Sequence, residues 1–359
     1  MKVEKISSLH DDLQTPRVTN DAGIGEYKDL TFARNKREEM SVITRLSQFG
    51  VDLNLLEEQG IKPHEIDSEM YRKLLAEAIR QKYDVIFGAV FDKYMLSGFG
   101  EKTAETERLK DVIKLADEYK RWGLNLIQSG GDIDKEGPNL VISLEGADFV
   151  TKIADLNKLM ENGIQVYGLQ YNKDNFLATN TDGLTELGFQ AVRHLLMNNK
   201  VIDLAHSSRR TRQDILDLAI DLHKGHLIAY THGSIVGDEP SEFKESMKSK
   251  ERLLEENEAE RIIKNGGIIG FGLTKPFFGS VEAMANRIDT MCQLDNGINH
   301  LAIGSDFGGV WNDLAIGISS VNEMDRLADE LSTRFGMSDE KVNKILRNNA
   351  KSWVKKALI

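Results

Sequence analysis

The fold of this chain is constrained above all by an alternation of short β-branched or apolar runs with longer amphipathic segments. The alternation favours a parallel β/α architecture, because parallel strands are joined by crossover connections that are usually helices. We place eight candidate strands at about 3–9, 84–91, 139–145, 164–171, 200–205, 226–231, 267–273 and 300–305. Eight strands with helices between them predict an α/β fold, a (β/α)8 barrel of the TIM type.

The chain is longer than such a barrel requires. It has 359 residues, whereas a plain eightfold barrel takes about 250. The surplus falls mainly in residues 14–83, which read as a polar helical insertion after the first strand, and in residues 311–359, where helical patterns close the chain. We therefore expect a single barrel domain over residues 1–359 with this insertion and a C-terminal helical extension.

Charge and cysteine content exclude several classes of protein. The formal net charge is −11, which argues against a nucleic-acid partner, because phosphate binding needs a basic face. Cys292 is the single cysteine, so no internal disulfide and no cysteine-based zinc cluster can form. The first residues lack the apolar core of a signal peptide, and no apolar run reaches the roughly 18 residues of a membrane span. We expect a cytoplasmic protein without a membrane partner.

Polar side chains follow five of the candidate strands at the point where each strand ends. They are His10 with Asp12, Glu145, His206, His232 and Asp306. The carboxyl ends of all barrel strands share one face, so these side chains should converge there. Imidazole and carboxylate ligands without thiolate suit a catalytic zinc or a similar divalent ion. A single His-x-Asp pair is more often a capped strand end, but five such strand ends in register predict a metal centre.

The motifs around these residues resemble those of the renal or membrane dipeptidase family, peptidase family M19, whose members are metal-dependent barrel hydrolases. The resemblance rests on His10-x-Asp12, SLEGAD (143–148), GLTELG (183–188), NNKVIDLAHSS (198–208), GGIIGF (266–271) and IGSDFGG (303–309). The closing segment 337–356 is also similar to the last helices of that family. The resemblance covers roughly residues 139–356 and the first dozen residues, and it fades across 14–83.

This resemblance implies a site with two zinc ions. By motif match, His10 and Asp12 would hold one ion, His206 and His232 the other, and Glu145 would bridge them. Two ions held in this way bind a bridging hydroxide and polarise the scissile carbonyl. Asp306 would orient the attacking water and pass its proton to the leaving amine. Glu145 and Asp306 are thus the implied catalytic residues.

Three positions concern the substrate. Tyr171 stands where the family typically has a substrate-contacting His, and a tyrosine hydroxyl can donate to an oxyanion but carries no positive charge at neutral pH. Gly308 replaces the second acid of the usual GSDFDG motif. Arg252 is the best match to the arginine that binds the substrate carboxylate; alternatively, it pairs with Glu255 and Glu256 at helical spacing.

The sequence therefore predicts a zinc-dependent hydrolase that cleaves a small amide, above all a dipeptide. A second hypothesis keeps the binuclear site but changes the substrate to another small amide, a lactam or an N-acyl amino acid, because Tyr171 alters the pocket. A third is a catalytically silent barrel that serves as a binding protein; the filled ligand positions argue against it. The expected partner is a small-molecule amide or dipeptide, and a homodimer is one assembly left open.

Overall fold

A computed structural model describes residues 2–11, 18–19, 25–26, 36–62, 65–92, 104–134, 137–241, 251–309 and 316–358. For residues 9–11, 18–19, 25–26, 36–41 and 134 it describes the backbone only.

Eight parallel strands close into a barrel, as the sequence predicts. They are β1 (Ile6–Asp11), β2 (Tyr83–Phe91), β3 (Asn139–Glu145), β4 (Ile164–Gly168), β5 (Val201–Asp203), β6 (Ile228–Tyr230), β7 (Ile268–Phe271) and β8 (Leu301–Ile303). The barrel closes at β1, where Ile6 pairs with Tyr83 of β2 and Ser8 pairs with Ile303 of β8. Consecutive strands pair in parallel from β2 to β8, so every strand ends at the same face.

The strands are apolar because both of their faces are covered. Every residue of β2 and of β3 is buried, as expected when a parallel sheet packs side chains inside the barrel and helices outside it. The strands from β4 to β8 are all shorter than predicted. For example, β4 ends at Gly168 rather than at residue 171, and β6 is preceded by a 3₁₀ turn over Gly225–Leu227. Residues 169–172 therefore lie beyond the end of β4.

Thirteen α-helices surround or extend the barrel within the described residues. They are α1 (Lys36–Gln48), α2 (Leu53–Glu58), α3 (Ser68–Lys82), α4 (Glu105–Lys120), α5 (Ile153–Glu161), α6 (Glu186–Met197), α7 (Arg209–Asp221), α8 (Glu256–Lys264), α9 (Lys275–Phe278), α10 (Val281–Cys292), α11 (Asp325–Phe335), α12 (Asp339–Asn343) and α13 (Asn349–Ala357). A π-helical turn, Lys344–Asn348, joins α12 to α13. None of the described helices combines the length and apolar character that a membrane span would require.

Short non-helical elements complete the described part of the chain. Further 3₁₀ turns lie at Gly130–Asp134, Gly297–Asn299 and Val321–Glu323. Two-residue strands occur at Val18–Thr19, Gly25–Glu26, Asn125–Leu126, Ala178–Thr179 and Gly183–Leu184.

Local capping signals set where the helices around the site begin. The Ser208 hydroxyl accepts from the Thr211 N–H at 3.2 Å and starts α7. Glu255 and Glu258 form a reciprocal capping box that starts α8. Because β5 ends at Asp203 and the Ser208 cap follows five residues later, the connection that carries His206 is short and closely constrained.

Helices before β2 and after β8 pack on the barrel. The Gly308 N–H donates to the Gln48 side-chain oxygen of α1 at 2.9 Å, and Gly308 adopts a φ of 84°, a conformation that favours glycine. The Asn349 side chain of α13 donates to the Leu301 carbonyl of β8 at 2.8 Å. One hydrophobic cluster includes barrel strands, α1 to α3 and the closing helices.

Candidate metal centre

Three of the five predicted ligands meet at the barrel mouth. Glu145 is the last residue of β3, and His206 and His232 lie just beyond β5 and β6. The His206 Nε2 atom is 2.7 Å from Glu145 Oε1 and 2.8 Å from His232 Nε2, and His232 Nε2 is 3.9 Å from the same Glu145 oxygen. All three residues are buried. Their donor atoms are close enough together to share one ion.

The other two predicted ligands belong to β1 and the residue after it. His10 lies on β1, for which only the backbone is described at this position, and Asp12 lies outside the described residues. Since β1 is parallel to its neighbours β2 and β8, it ends at the same barrel face as β3, β5 and β6. A second ion site at His10 and Asp12 stays a prediction.

Hydrogen bonds around His232 determine which of its nitrogens carries the proton. The Thr231 hydroxyl donates to the Asp203 carboxylate at 2.6 Å, because a carboxylate can only accept. The same hydroxyl oxygen lies 3.0 Å from His232 Nδ1, which must therefore be the donor of that bond. We assign the proton to Nδ1, so that Nε2 presents a lone pair to Glu145 and His206. This is the tautomer that a metal ligand needs.

Three polar groups surround the Nε2 atom of His206. A guanidinium nitrogen of Arg252 lies 3.1 Å from this atom, in addition to Glu145 and His232. A protonated Nε2 would donate to Glu145 Oε1 at 2.7 Å or to His232 Nε2 at 2.8 Å, and a deprotonated Nε2 would accept from Arg252. Two imidazole nitrogens and a carboxylate oxygen directed at one point are a donor set that a divalent ion satisfies.

Three residues at the mouth have left-handed backbone conformations. Asn172, His206 and Asp306 have φ angles of 59°, 63° and 59° and follow β4, β5 and β8. A histidine in this region costs on the order of 1 kcal/mol relative to a right-handed conformation. Such conformations cluster at functional sites, where surrounding bonds maintain them.

Tyr171 stacks on the ring of His206. The two ring centroids are 4.3 Å apart and the ring planes differ by 19°. The neighbouring Gln170 side chain accepts from the Ser208 N–H at 2.9 Å and donates to Asn180 at 2.8 Å. The segment after β4 is thereby tied to the segment that carries His206, and Tyr171 stands at the mouth, as the sequence predicts.

Arg252 points toward the metal centre. Its guanidinium contacts His206, whereas Glu255 pairs with Arg209 and Glu256 with Arg287. The alternative prediction, helical charge pairing of Arg252 with these glutamates, is not observed among the described residues, because α8 begins only at Glu256 and Arg252 precedes its cap.

A buried arginine that was not predicted from the sequence fixes the segment around Arg252. Arg212 of α7 is 1% exposed and forms a forked ion pair with Glu258, with 2.9 Å between Arg212 Nη2 and Glu258 Oε2. Its remaining hydrogens reach the carbonyls of Ser207, Glu251 and Leu253. Ser207 adjoins His206, and the other two residues flank Arg252. A charged residue on a predicted helix carries no signal of burial, so the sequence could not have revealed this role.

Tyr230 also fixes the backbone of Arg252. Its hydroxyl donates to the Arg252 carbonyl at 2.8 Å. Complete burial raises the pKa of Tyr230 to about 12, so the hydroxyl stays a neutral donor. The Leu254 carbonyl also accepts from the Val236 N–H, at 2.8 Å. Four successive carbonyls, from residue 251 to residue 254, are therefore fixed by hydrogen bonds.

Asp306 follows β8 at the same barrel face. The backbone N–H of the preceding residue, Ser305, donates to the Ser8 hydroxyl of β1 at 3.2 Å, which ties this segment to the strand that carries His10. The structure therefore brings Asp306 to the mouth, as the motif predicts.

A family model described as membrane dipeptidase (peptidase family M19) matches residues 53–357. The match covers more than half of the chain and contains all three clustered residues. This chain belongs to the membrane dipeptidase family. The family confirms the resemblance seen in the strand-end motifs.

Two curated relatives of this M19 chain, both from Schizosaccharomyces pombe, are named uncharacterized dipeptidases. One is 23% identical over 238 residues, which are 61% of this chain and 53% of the relative. The other is 21% identical over 273 residues, which are 70% of this chain and 64% of the relative. The chain thus spans less than two thirds of the length of either relative.

Solved structures share the barrel of this M19 chain. A metallopeptidase from Rhodobacter sphaeroides, solved with a phosphinate mimic of the dipeptide L-Ala-D-Ala, has a TM-score of 0.67 at 14% identity, covering 99% of this chain and 100% of that one. A dipeptidase of family M19 has a TM-score of 0.64 at 15% identity, covering 79% and 88%. An amidohydrolase from Pseudomonas aeruginosa has a TM-score of 0.61 at 18% identity, covering 78% and 90%. At such identities the likeness shows the common fold.

The buried pair Arg212–Glu258 generates a stability prediction. Arg212→Met should lower the free energy of unfolding by about 3–5 kcal/mol, because it leaves the Glu258 charge buried and uncompensated. Adding Glu258→Gln should recover part of that loss, since the amide oxygen can still accept from the Glu255 N–H. Urea unfolding followed by circular dichroism measures both differences.

The control is Lys73→Met, which breaks an exposed pair with Glu69 whose partners are 73% and 66% exposed. Its urea midpoint should stay near wild type, because exposed pairs contribute little. A double variant at Arg212 and Glu258 that is no more stable than Arg212→Met alone would rule out the uncompensated charge as the cause.

Proposed function

We propose that this chain is a zinc-dependent hydrolase that cleaves dipeptides. The observation that carries the proposal is the convergence of Glu145, His206 and His232 at the barrel mouth with Arg252 beside them. Membership in the M19 family supports a metal-dependent hydrolase. The names of the two yeast relatives and the dipeptide mimic bound to the Rhodobacter sphaeroides protein support a dipeptide as substrate.

The ligand set that we assign holds two ions. His206 and His232 would hold one, His10 and Asp12 the other, and Glu145 would bridge them. Zinc is the metal we favour, because the set offers imidazole and carboxylate without thiolate. When bound, two such ions act as Lewis acids and lower the pKa of a water molecule toward neutrality.

Arg252 would bind the terminal carboxylate of the substrate. A guanidinium forms two parallel hydrogen bonds with a carboxylate, and Arg252 Nε has no hydrogen-bond partner among the described residues. One guanidinium nitrogen lies only 3.1 Å from His206 Nε2. If Arg252 binds the terminal carboxylate of a substrate, the metal centre lies about one residue away. The carbonyl of the peptide bond in a dipeptide would then lie at the metal centre.

Asp306 would orient the attacking water and pass its proton to the leaving amine. Its place after β8 and its left-handed backbone, with φ at 59°, support a specifically positioned carboxylate.

Tyr171 would contact the substrate beside His206. Its stacked ring supports a fixed position at the mouth. Because its hydroxyl donates without positive charge, the pocket differs from one with a histidine at this place. This difference, together with Gly308, favours the second candidate function: the same centre acting on another small amide, a lactam or an N-acyl amino acid.

The cytoplasmic location and the homodimer also remain proposals.

The first experiment measures hydrolysis and metal content together. Zinc-loaded protein should release both amino acids from dipeptides such as Ala-Ala, with either configuration at the second residue, and hydrolyse the corresponding dipeptide amides more slowly. Elemental analysis should find about two ions per chain, as a two-metal site requires. Glu145→Gln should lower the occupancy of both sites, because one carboxylate serves both.

The matched control is Glu340→Gln on α12, which should keep wild-type metal content and activity. Hydrolysis of lactams or N-acyl amino acids without hydrolysis of dipeptides would select the second candidate function. A metal-replete protein with one ion or none would contradict the binuclear site.

Asp306→Asn should reduce kcat by about 10²–10⁴ while metal content stays near wild type, because the amide cannot take up or release the proton. Steady-state kinetics and elemental analysis on the same preparation measure the two quantities. Loss of metal in this variant would instead make Asp306 a ligand.

Tyr171→Phe keeps the ring on His206 and removes the hydroxyl alone. We expect kcat/KM for dipeptides to fall by about 2- to 13-fold, the equivalent of one hydrogen bond, with metal content unchanged. Tyr167→Phe is the control, because the Tyr167 hydroxyl donates to the Ile164 carbonyl within β4, at 3.0 Å. Equal kcat/KM values for wild type and Tyr171→Phe on every substrate would show that the hydroxyl does not contact substrate.

A further inference from the structure

A groove of about 470 Å³ lies between α3 and the end of α4, on the outside of the barrel. Small-molecule sites commonly have volumes of about 300–1,000 Å³, so this space is large enough for a small ligand. The residues of α3 that line it recur at helical spacing from Glu69 to Arg80 and share one face of the helix. Arg121 and Trp122, which directly follow α4, form the other side.

This groove is separate from the metal centre. Arg80 lies three residues before Tyr83, where β2 begins. Trp122 lies three residues before Asn125, which pairs with Asn139, the first residue of β3. One end of the groove therefore lies near the starts of two strands, whereas the clustered metal ligands lie where strands end. A ligand in the groove would not contact the metal centre.

Positive charge exceeds negative charge in the wall of the groove. Six of the eight described residues that line it are charged. The cations are Arg72, Lys73, Arg80 and Arg121, and the acids are Glu69 and Glu77. The wall thus has an excess of two positive charges in a chain whose formal net charge is −11. A concave surface with one sign of charge attracts ligands of the opposite sign.

Both acids of the groove are paired with cations of the same helix. Glu69 Oε1 lies 2.7 Å from Lys73 Nζ. Glu77 Oε2 lies 3.3 Å from Arg80 Nη1, and the other carboxylate oxygen of Glu77 accepts from the Gln81 side chain at 3.1 Å. The charges of Lys73 and Arg80 are therefore balanced within α3.

Arg80 also fixes the two sides of the groove relative to each other. Its Nη2 atom donates to the carbonyls of Trp122 and Gly123, at 3.3 Å and 3.4 Å. Carbonyls at the end of a helix lack partners within the helix, so these bonds satisfy groups that the end of α4 leaves open. Because Arg80 joins α3 to the end of α4, the groove is formed before a ligand binds, which lowers the cost of binding.

Arg72 and Arg121 are the cations of the groove that have no counter-charge. Neither side chain forms an ion pair or a hydrogen bond with any residue in the part of the chain that the structure describes. Glu69, one turn before Arg72, pairs with Lys73 instead. Arg72 is nevertheless half-buried. Two guanidinium groups that have all their donors available thus line one groove of the size of a small-molecule site.

We propose that this groove is a second ligand site, which binds a small molecule with two negative charges, a phosphate monoester or a dicarboxylate, through Arg72 and Arg121. A planar guanidinium forms two parallel hydrogen bonds with either a phosphate or a carboxylate. A dianion balances the excess charge of the wall. Trp122 and Ala76, together with the aliphatic parts of the long side chains, supply apolar surface for the rest of the ligand.

Calorimetric titration of the zinc-loaded protein at pH 8 and constant ionic strength tests this site. Phenyl phosphate and succinate are the two probes, and acetate is the singly charged comparison. We expect saturable binding of about one dianion per chain, as one groove requires, with acetate at least about 10-fold weaker, the equivalent of one hydrogen bond to a charged group. Binding of phenyl phosphate alone identifies a phosphate ligand, and binding of succinate alone identifies a dicarboxylate.

Arg72→Gln combined with Arg121→Gln should raise the Kd of the bound probe by at least about 10-fold, because charge-assisted hydrogen bonds are lost. Each single substitution should have a smaller effect in the same direction. The urea midpoint of the double variant should stay near wild type, since neither side chain has a partner among the described residues. Weaker binding then reports on the groove and not on folding.

The matched control is Arg193→Gln combined with Lys264→Gln, which removes two cations from α6 and α8, outside the groove. It should keep the wild-type Kd. No saturable binding of either probe would overturn the proposal. An unchanged Kd in the Arg72 and Arg121 variant would also overturn it, because the anion would then bind elsewhere, such as at the metal ions. Equal weakening in both double variants would show an effect of net charge alone and would likewise overturn it.

Discussion

Parallel pairing of all eight barrel strands is the constraint on which the candidate site depends. Because β1 pairs with both β2 and β8, the sheet closes and every strand ends at one face. Glu145, His206 and His232 are separated by up to 87 positions in the chain, yet their donor atoms lie within 4.8 Å of one another. The barrel thus brings together two imidazoles and a carboxylate, a donor set that a bound divalent ion would stabilise.

Two buried polar networks outside this cluster maintain its geometry. Asp203 and Thr231 orient His232 through its distal nitrogen, as partners of metal-ligating histidines commonly do. Arg212 and Glu258 fix the backbone on both sides of Arg252 and next to His206. A buried ion pair gains little stability over apolar packing, because both charges lose their hydration. The position of this ion pair, next to His206 and on both sides of Arg252, indicates that it fixes the geometry of the site.

The substrate-facing side combines two residues of opposite charge, Arg252 and Glu251, with neutral polar groups. Arg252 stands against the metal centre, Tyr171 stacks on His206, and amide and hydroxyl side chains are among those that line a cavity beside Arg252 and His206. A ligand with a free carboxylate next to an amide bond matches the position of Arg252 beside the metal centre. The fold itself is common to many chemistries, so the substrate must be inferred from these side chains.

The sequence by itself determined the eight strands, the polar residue at the end of each functional strand and the family to which the chain belongs, because strand periodicity and strand-end chemistry are local properties. The same local signals placed Tyr171 and Asp306 at the barrel mouth. Only the tertiary structure decided that Arg252 faces His206 rather than Glu255, that Arg212 is buried, and that Asn172 and Ser207 share a cavity wall. Charge pairing and burial depend on which segments meet across the barrel. The sequence pattern around a charged or polar residue is the same whether its side chain is exposed to solvent or buried.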